Sequence, residues 1–123
     1  MIHTKHNALQ SLKPNAKYAW FGYEYSGLKW SDTGSAPTES EIDAEVTRLN
    51  NAEPMRLLRA ERDRLLTACD WVVTMHKELG TNIPAAWKTY RQALRDLPAS
   101  ASPSLDSDGY LDMTSVTWPT EPS

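Results

Sequence analysis

Apolar residues near the start of the chain recur at helical spacing. Ala8, Leu9 and Leu12 fall on one face of residues 4–12, behind Thr4, whose hydroxyl suits a helix N-cap. Pro14 follows directly and cannot continue a helix. The pattern predicts a short N-terminal helix.

The next segment has the alternating pattern of a β-strand. Tyr18 and Trp20 alternate with polar or small residues, residues 22–27 contain two glycines that allow a turn, and Leu28 and Trp30 repeat the alternation. Successive strand side chains point to opposite faces, so the aromatic residues share one face. We predict a β-hairpin with an aromatic face.

A helix with a well-marked start follows the hairpin. Thr38 and Glu41 have the spacing of a capping box, and Ile42, Val46 and Leu49 form a narrow apolar stripe behind them. Pro54 either kinks this helix or opens another, and a proline is best tolerated in a first turn. We therefore predict a new helix that begins at Pro54.

Two further helices are predicted in the second half of the chain. The first runs from Met55 to a C-terminal cap at Gly80, and the second ends at Pro98. The second has the clearest amphipathic pattern, with apolar residues at intervals of four, three, four and three: Ile83, Trp87, Tyr90, Leu94 and Leu97. We expect the two helices to pack antiparallel and to bury Trp71 and Trp87 near their connection.

The predicted fold class is α+β. Residues 1–37 form a short helix and the aromatic hairpin, residues 38–98 form a helical core built on a helical hairpin, and residues 99–123 form an extended C-terminal arm. The arm begins with a Ser-, Asp- and Pro-rich stretch that buries little apolar surface. It ends with five apolar anchors, which either fold back onto the helices or hold a partner: Tyr110, Leu111, Met113, Val116 and Trp118.

Composition and charge narrow the function classes. The chain has 123 residues, a net charge of −3 and one cysteine, so one compact core is expected, nucleic acid is a poor partner, and no internal disulfide can form. The N-terminus lacks the pattern of a secretory signal, and no apolar stretch approaches the roughly 20 residues that cross a bilayer. We expect a protein of the reducing cytoplasm that does not enter membranes.

Residues with potential chemistry are better explained as structural. His3 and His6 lack a third metal ligand nearby, and Cys69 with His76 lacks a residue to orient the imidazole. The aspartates around Gly109 lack the closing Glu of a calcium loop. We therefore expect no catalysis, metal, cofactor or small-molecule substrate.

A group of arginines could also be interpreted as a face that binds nucleic acid. Arg56, Arg59, Arg62 and Arg64 are interleaved with acidic residues, and an ion pair of Arg59 with Asp63 one helical turn on is expected. A solvated helix face is therefore favoured over a nucleic-acid interface.

Aromatic content remains unusual for a chain of this size. The sequence has five Trp and five Tyr, side chains that combine an apolar body with a polar group and are enriched at interfaces. The aromatic residues of the hairpin and the arm either pack on the helices or form an exposed binding surface.

Three stretches resemble the phage tail assembly chaperone family. They are RAERDRLLTACDW at residues 59–71, AAWKTYRQALRDLP at residues 85–98, and VTWPTEP at residues 116–122. Tail fibre assembly proteins of tailed phages end on a similar Trp-Pro-x-x-Pro. The N-terminal half is similar to the front half of related small phage tail proteins, and residues 99–115 are longer and richer in Ser and Asp than the connector expected.

The resemblance implies a non-enzymatic protein that binds a trimeric phage tail fibre protein and helps it to fold and trimerise in the host cytoplasm. It then either leaves or stays on the virion tail. The alternative is a permanent accessory subunit of the fibre or baseplate. An enzyme or regulator acting on nucleic acid is a third, less favoured reading.

The resemblance also suggests roles for residues. Seven motif residues are expected mainly to form the internal framework, with the two arginines free to pair with carboxylates of the arm or hairpin or with the partner: Trp71, Trp87, Tyr90, Arg91, Leu94, Arg95 and Asp96. The expected partner contacts are Trp118, Pro119 and Pro122, then Tyr23 and Tyr25. Residues 116–118, including Val116, could add a strand to a sheet edge of the fibre.

Overall fold

The computed structural model describes residues 3–123 and has the predicted α+β fold. In chain order the elements are α1 (Lys5–Leu12), β1 (Tyr18–Trp20), β2 (Leu28–Trp30), α2 (Glu39–Ala68), α3 (Asp70–Leu79) and α4 (Ala85–Ser100). Single 3₁₀ turns lie at Tyr25–Gly27 and Met113–Ser115. Contacts divide the chain into an N-terminal unit that ends at Glu53 and a C-terminal unit, Pro54–Ser123.

The N-terminal unit is built around α1 and the start of α2. Ala8 and Leu9 of α1 and Ile42 and Val46 of α2 form its buried cluster. Both predicted helix starts are confirmed. The Thr4 side chain accepts from the Asn7 N–H in a capping box, and the Thr38 hydroxyl accepts from the Glu41 N–H.

The aromatic hairpin covers this cluster. Strands β1 and β2 pair antiparallel, with Tyr18 opposite Trp30 and Trp20 opposite Leu28, and the rings of the first pair stack at 6.3 Å. All four side chains are half-buried against the cluster. Gly27 closes the turn of the hairpin. A Cβ atom added at this position would lie 1.9 Å from the Phe21 carbonyl oxygen, so no larger residue fits.

Pro54 lies inside α2, and the prediction of a new helix there is wrong. A proline removes one backbone N–H and therefore one helical hydrogen bond, to the carbonyl four residues earlier. Apolar side chains on both sides, Val46 and Leu58, are buried in the cores of their respective units. Their burial offsets the local cost, and the helix continues through the proline.

The single helix predicted from Met55 to Gly80 is interrupted at Cys69. This residue has φ −114° and ψ 11°, outside the α-helical region, so α2 ends at Ala68 and α3 begins at Asp70. No glycine or proline marks this break in the sequence. The predicted cap at Gly80 is confirmed, with φ 70°.

The C-terminal unit has two buried clusters. One contains Cys69, Val72, Tyr90 and Leu94, and the other contains Leu58, Leu97 and Val116. The apolar face predicted for α4 is confirmed. Its predicted end at Pro98 is wrong, because α4 runs to Ser100 with the proline in its last turn.

The arm folds back onto the helices of its own unit. Leu105 and Leu111 form an isolated antiparallel bridge, and the carboxylate of Asp106 accepts from the backbone N–H groups of Asp108 and Tyr110 in the turn between them. Val116 then enters the cluster with Leu58 and Leu97. Of the two paths open from the sequence, the structure shows the packed one.

Candidate functional site

Helix α3 is held at its start by one arginine. The Arg91 guanidinium of α4 donates to the Leu66 carbonyl at 3.0 Å, to Cys69 Sγ at 2.9 Å and to Asp70 Oδ1 at 2.8 Å. These bonds span the break between α2 and α3. Although desolvation alone would lower the pKa of Arg91, the hydrogen bonds to Asp70 and Cys69 give a net rise.

The end of α3 is also fixed. The Gly80 N–H donates to the carbonyls of His76 and Lys77, and the Thr81 N–H donates to the His76 carbonyl at 3.0 Å. The His76 ring nitrogen Nδ1 lies 2.7 Å from the Thr81 hydroxyl. The start of this short helix is therefore tied to α4 through Arg91, and its end is capped by the two residues that follow it.

One face of α3 presents apolar side chains to solvent. Trp71 is 59% exposed, Met75 36% and Leu79 67%. The three are four residues apart, so they lie along one side of the helix, and we call them the α3 stripe. Val72, the residue after Trp71, is buried. The stripe is an apolar surface on a helix whose orientation is fixed.

Trp71 was predicted to be buried, and that prediction is wrong. The break at Cys69 changes the register of α3 relative to α2. Cys69 and Val72 therefore take the inner positions, and Trp71 turns outward. Trp87, which was expected beside it, is half-buried and packs with Tyr90 at a ring separation of 6.0 Å.

The remaining motif residues belong to α4. Tyr90 and Leu94 are buried, and burial raises the pKa of the Tyr90 hydroxyl. Arg91 pairs with Asp70 of α3 instead of a carboxylate of the arm or hairpin. Arg95 and Asp96 both bond to Gln92, so these bonds stay within one helix face.

The residues predicted to contact a partner through the arm are partly enclosed. Val116 is buried between Leu58 and Leu97, whereas Trp118, Pro119 and Pro122 are half-buried. The Trp118 indole N–H donates to the Met113 carbonyl at 3.2 Å. Two other apolar side chains of the arm are open to solvent: Tyr110 and Met113.

The hairpin residues belong to the N-terminal unit and differ from each other. Tyr23 at the tip is 84% exposed, and its neighbour Phe21 is exposed as well. Tyr25 is half-buried, and its hydroxyl donates to the Pro37 carbonyl at 2.8 Å. Tyr23 is available to a partner, whereas Tyr25 holds the hairpin to the segment before α2.

Residues considered for chemistry have structural partners. His3 Nε2 lies 3.2 Å from Glu53 Oε2, and Cys69 is buried. Asp63 pairs with Arg62 instead of the predicted Arg59. Across residues 3–123, no group of three or more His, Cys, Asp or Glu side chains could hold a metal ion. Over the same range, no helix is both long and apolar enough to cross a bilayer.

The α3 stripe was missed from the sequence. Its signal was present, because Trp71, Met75 and Leu79 recur every four residues. Cys69, Val72 and Val73 recur nearby on another face, however, and a helix with apolar residues on two faces does not reveal which face is buried. Long-range contacts decide it: Cys69 and Val72 pack with the buried face of α4, and Arg91 bonds across the break.

Comparison with known proteins connects the C-terminal unit to phage assembly. No curated protein and no solved structure matches the chain. The family model described as phage tail assembly chaperone protein matches residues 55–123. The match covers more than half of the chain and includes α3, α4 and the whole arm. On this match, the chain belongs to the phage tail assembly chaperone protein family.

Proposed function

We propose that this chaperone binds the tail fibre protein of its phage and assists its folding and trimerisation in the host cytoplasm. The α3 stripe is the observation that carries the proposal. Three large apolar side chains stay exposed on a fixed helix inside the unit that matches the family. Exposed apolar groups of this size are typical of a surface that another protein covers.

The stripe suits an unfinished fibre chain. Before a β-rich trimer closes, its subunits expose apolar faces and unpaired strand edges that promote aggregation. Covering the exposed parts of Trp71, Met75 and Leu79 would contribute roughly 3–4 kcal/mol before the cost of ordering the partner. A contribution of this size favours temporary binding, and no ATP is required because binding itself shifts the folding equilibrium.

The arm contributes a second group of proposed contacts. Trp118, Pro119 and Pro122 lie partly at the surface of the unit that holds the stripe. Val116 would have to leave Leu58 and Leu97 to add a strand to the fibre, so we propose that in the free chaperone it anchors the arm. At the other end of the chain, exposed Tyr23 is a proposed minor contact, and Tyr25 positions it.

Co-expression tests this function. The tail fibre gene of the same phage is expressed with and without the chaperone, and the soluble fraction is separated by size exclusion. We expect soluble, trimeric fibre only when the chaperone is present. Fibre that is soluble and trimeric without it would contradict the assembly role, and co-elution in that case would instead identify an accessory subunit of the fibre.

A second measurement concerns the fate of the chaperone. Quantitative mass spectrometry of purified virions determines how many copies accompany each fibre. Stoichiometric chaperone in particles would indicate a lasting subunit in addition to the assembly role. Its absence from particles, with fibre assembly still dependent on it, would show release after trimerisation.

A further inference from the structure

A groove lies on a different face of the C-terminal unit from the α3 stripe. It has a volume of about 840 Å³ and is lined by α3, the following loop and α4. Val73, Ile83 and Ala93 supply apolar surface, and Thr89 and Gln92 supply hydrogen-bonding groups. An open groove of this size, with apolar surface beside charged and hydrogen-bonding side chains, is suited to a short peptide segment.

Basic side chains line the α4 wall of the groove. Lys88, Arg91 and Arg95 are three and four residues apart and therefore share one helix face. Arg91 is neutralised by Asp70. Lys88 and Arg95 are exposed, and neither forms an ion pair within residues 3–123. The groove thus places two cations that form no ion pair within that range beside apolar surface, with Asp96 as the acidic side chain of its lining.

We propose that this groove binds an acidic peptide segment of a protein partner, with aspartate or glutamate at Lys88 and Arg95 and an apolar side chain against Val73 and Ile83. Complementary charge would orient the segment, and the apolar contact would hold it. The natural source of this segment rests on the proposed function, since it would be the tail protein. The chemistry of the groove itself does not depend on that identity.

A peptide fits the groove better than a nucleic acid does. Two unpaired cations would neutralise few phosphates, whereas nucleic-acid affinity grows with the number neutralised. Val73 and Ile83 also offer apolar surface that a phosphate backbone does not use. An acidic side chain followed by an apolar one uses both kinds of surface.

The test is a nuclear magnetic resonance titration of the full chain. The probe is a short, end-blocked peptide of alternating aspartate and leucine. Its control replaces each aspartate with serine, and a single-stranded oligothymidylate tests phosphate binding. We expect the acidic peptide to shift the backbone amide signals of Val73, Thr89, Gln92 and Ala93, with much weaker effects from the other two probes.

Matched variants locate the binding. The double variant Lys88→Gln with Arg95→Gln should bind the acidic peptide roughly five- to tenfold more weakly, because two exposed charge contacts are lost. The control is the double variant Lys13→Gln with Lys29→Gln, which changes the net charge by the same amount at exposed residues of the N-terminal unit. This control should bind as the unaltered chain does.

Several outcomes would overturn the proposal. These are absent shifts with the acidic peptide, equal shifts in the Lys88 and Arg95 variant, or stronger binding of the oligothymidylate. Concentration-dependent dimerisation that protects the same amides would assign the groove to the acidic arm of a second copy instead. If the acidic peptide does not bind but the chaperone still rescues fibre folding, the groove proposal alone is refuted. If the peptide binds but fibre rescue fails, the proposed function alone is refuted.

Discussion

The two units of this chaperone differ in how far their large apolar side chains are buried. In the N-terminal unit, Tyr18, Trp20 and Trp30 lie half-buried against the core, and the indole N–H groups of both tryptophans donate to backbone carbonyls. In the C-terminal unit, Trp71 and Leu79 lie on the surface of a helix whose start is held by Arg91. The first unit uses most of its large aromatic residues to close its own core, whereas the second leaves Trp71 and Leu79 of one helix on its surface.

The contrast shows that aromatic content alone does not locate a binding surface. The hairpin is the most aromatic segment of the sequence, yet of its aromatic residues only Phe21 and Tyr23 at the tip are largely exposed. Helix α3 has one aromatic residue, and it lies in the unit that matches the chaperone family. What distinguishes a surface for binding is exposure on a rigid element, together with burial of the opposite face.

The largest effects should come from the two cores. Leu94→Ala and Ile42→Ala each remove a fully buried side chain and should lower the free energy of unfolding by about 2–5 kcal/mol. Residue-resolved amide hydrogen exchange should show faster exchange in α3 and α4 for Leu94→Ala, and in α1 and the start of α2 for Ile42→Ala. Equal acceleration throughout the chain in both variants would mean that the units do not differ in local stability.

Sequence patterns predicted the N-terminal unit well because its signals are local. The caps at Thr4 and Thr38 and the alternation of the hairpin each lie within a few residues of the structure they specify. The C-terminal unit was predicted less well. Its decisive contacts join Arg91 to Leu66 and Cys69, which are 25 and 22 residues away, and no short-range pattern encodes them.

The two prolines within helices illustrate another limit of sequence patterns. Pro54 and Pro98 were both placed at helix boundaries, because a proline inside a helix costs about 3 kcal/mol in an isolated segment. In the folded chain, neighbouring Leu58 and Leu97 are buried in one cluster, and this burial outweighs the local preference. Propensity predicts where a helix is weakest, whereas tertiary packing decides whether it ends there.

An intermediate effect should follow from loss of the arginine that spans the break. Arg91→Ala removes three hydrogen bonds of a largely enclosed cation and should destabilise the C-terminal unit by about 1.5–3 kcal/mol in urea unfolding. Arg91→Lys should recover little, because an ammonium group does not reproduce the planar fork.

Arg95→Ala is the matched control for Arg91→Ala. Its side chain is exposed and bonds only to Gln92 of the same helix, so a change within about 0.5 kcal/mol is expected. Equal losses for the two arginines would show that the break between α2 and α3 does not depend on Arg91.

A smaller effect, confined to acid, is expected in the N-terminal unit. Hydrogen bonds from Arg48 and Ser11 lower the pKa of Glu45 to about 2 from an ordinary value of 4.5. The stability that Glu45 contributes is therefore complete above about pH 4.5 and is lost as the pH falls towards 2. Glu45→Gln should flatten this part of the pH dependence, and Glu24→Gln, at an exposed position, should not.

The indole signals in nuclear magnetic resonance spectra during urea titration measure this pH dependence unit by unit. Trp20 and Trp30 report on the N-terminal unit, and Trp71 and Trp87 report on the C-terminal unit. We expect the Glu45→Gln difference in the first pair of signals. The same acid dependence in Glu45→Gln and the unaltered chain would exclude the ion pair as its source.

The smallest change in stability should accompany the largest change in function. Trp71→Ser with Leu79→Ser removes most of the α3 stripe, whereas Phe21→Ser with Tyr23→Ser removes the exposed hairpin tip. Because all four side chains are exposed, each pair should alter the free energy of unfolding by only about 0.5 kcal/mol per site or less. Any difference in function would then reflect the surface and not the fold.

The measurement is the yield of soluble, trimeric tail fibre on co-expression with the unaltered chaperone, the stripe variant and the tip variant. We expect the stripe variant to lose fibre rescue and the tip variant to retain most of it. If the stripe variant is folded and yields as much fibre trimer as the unaltered chaperone, the α3 stripe is not the surface that binds the fibre.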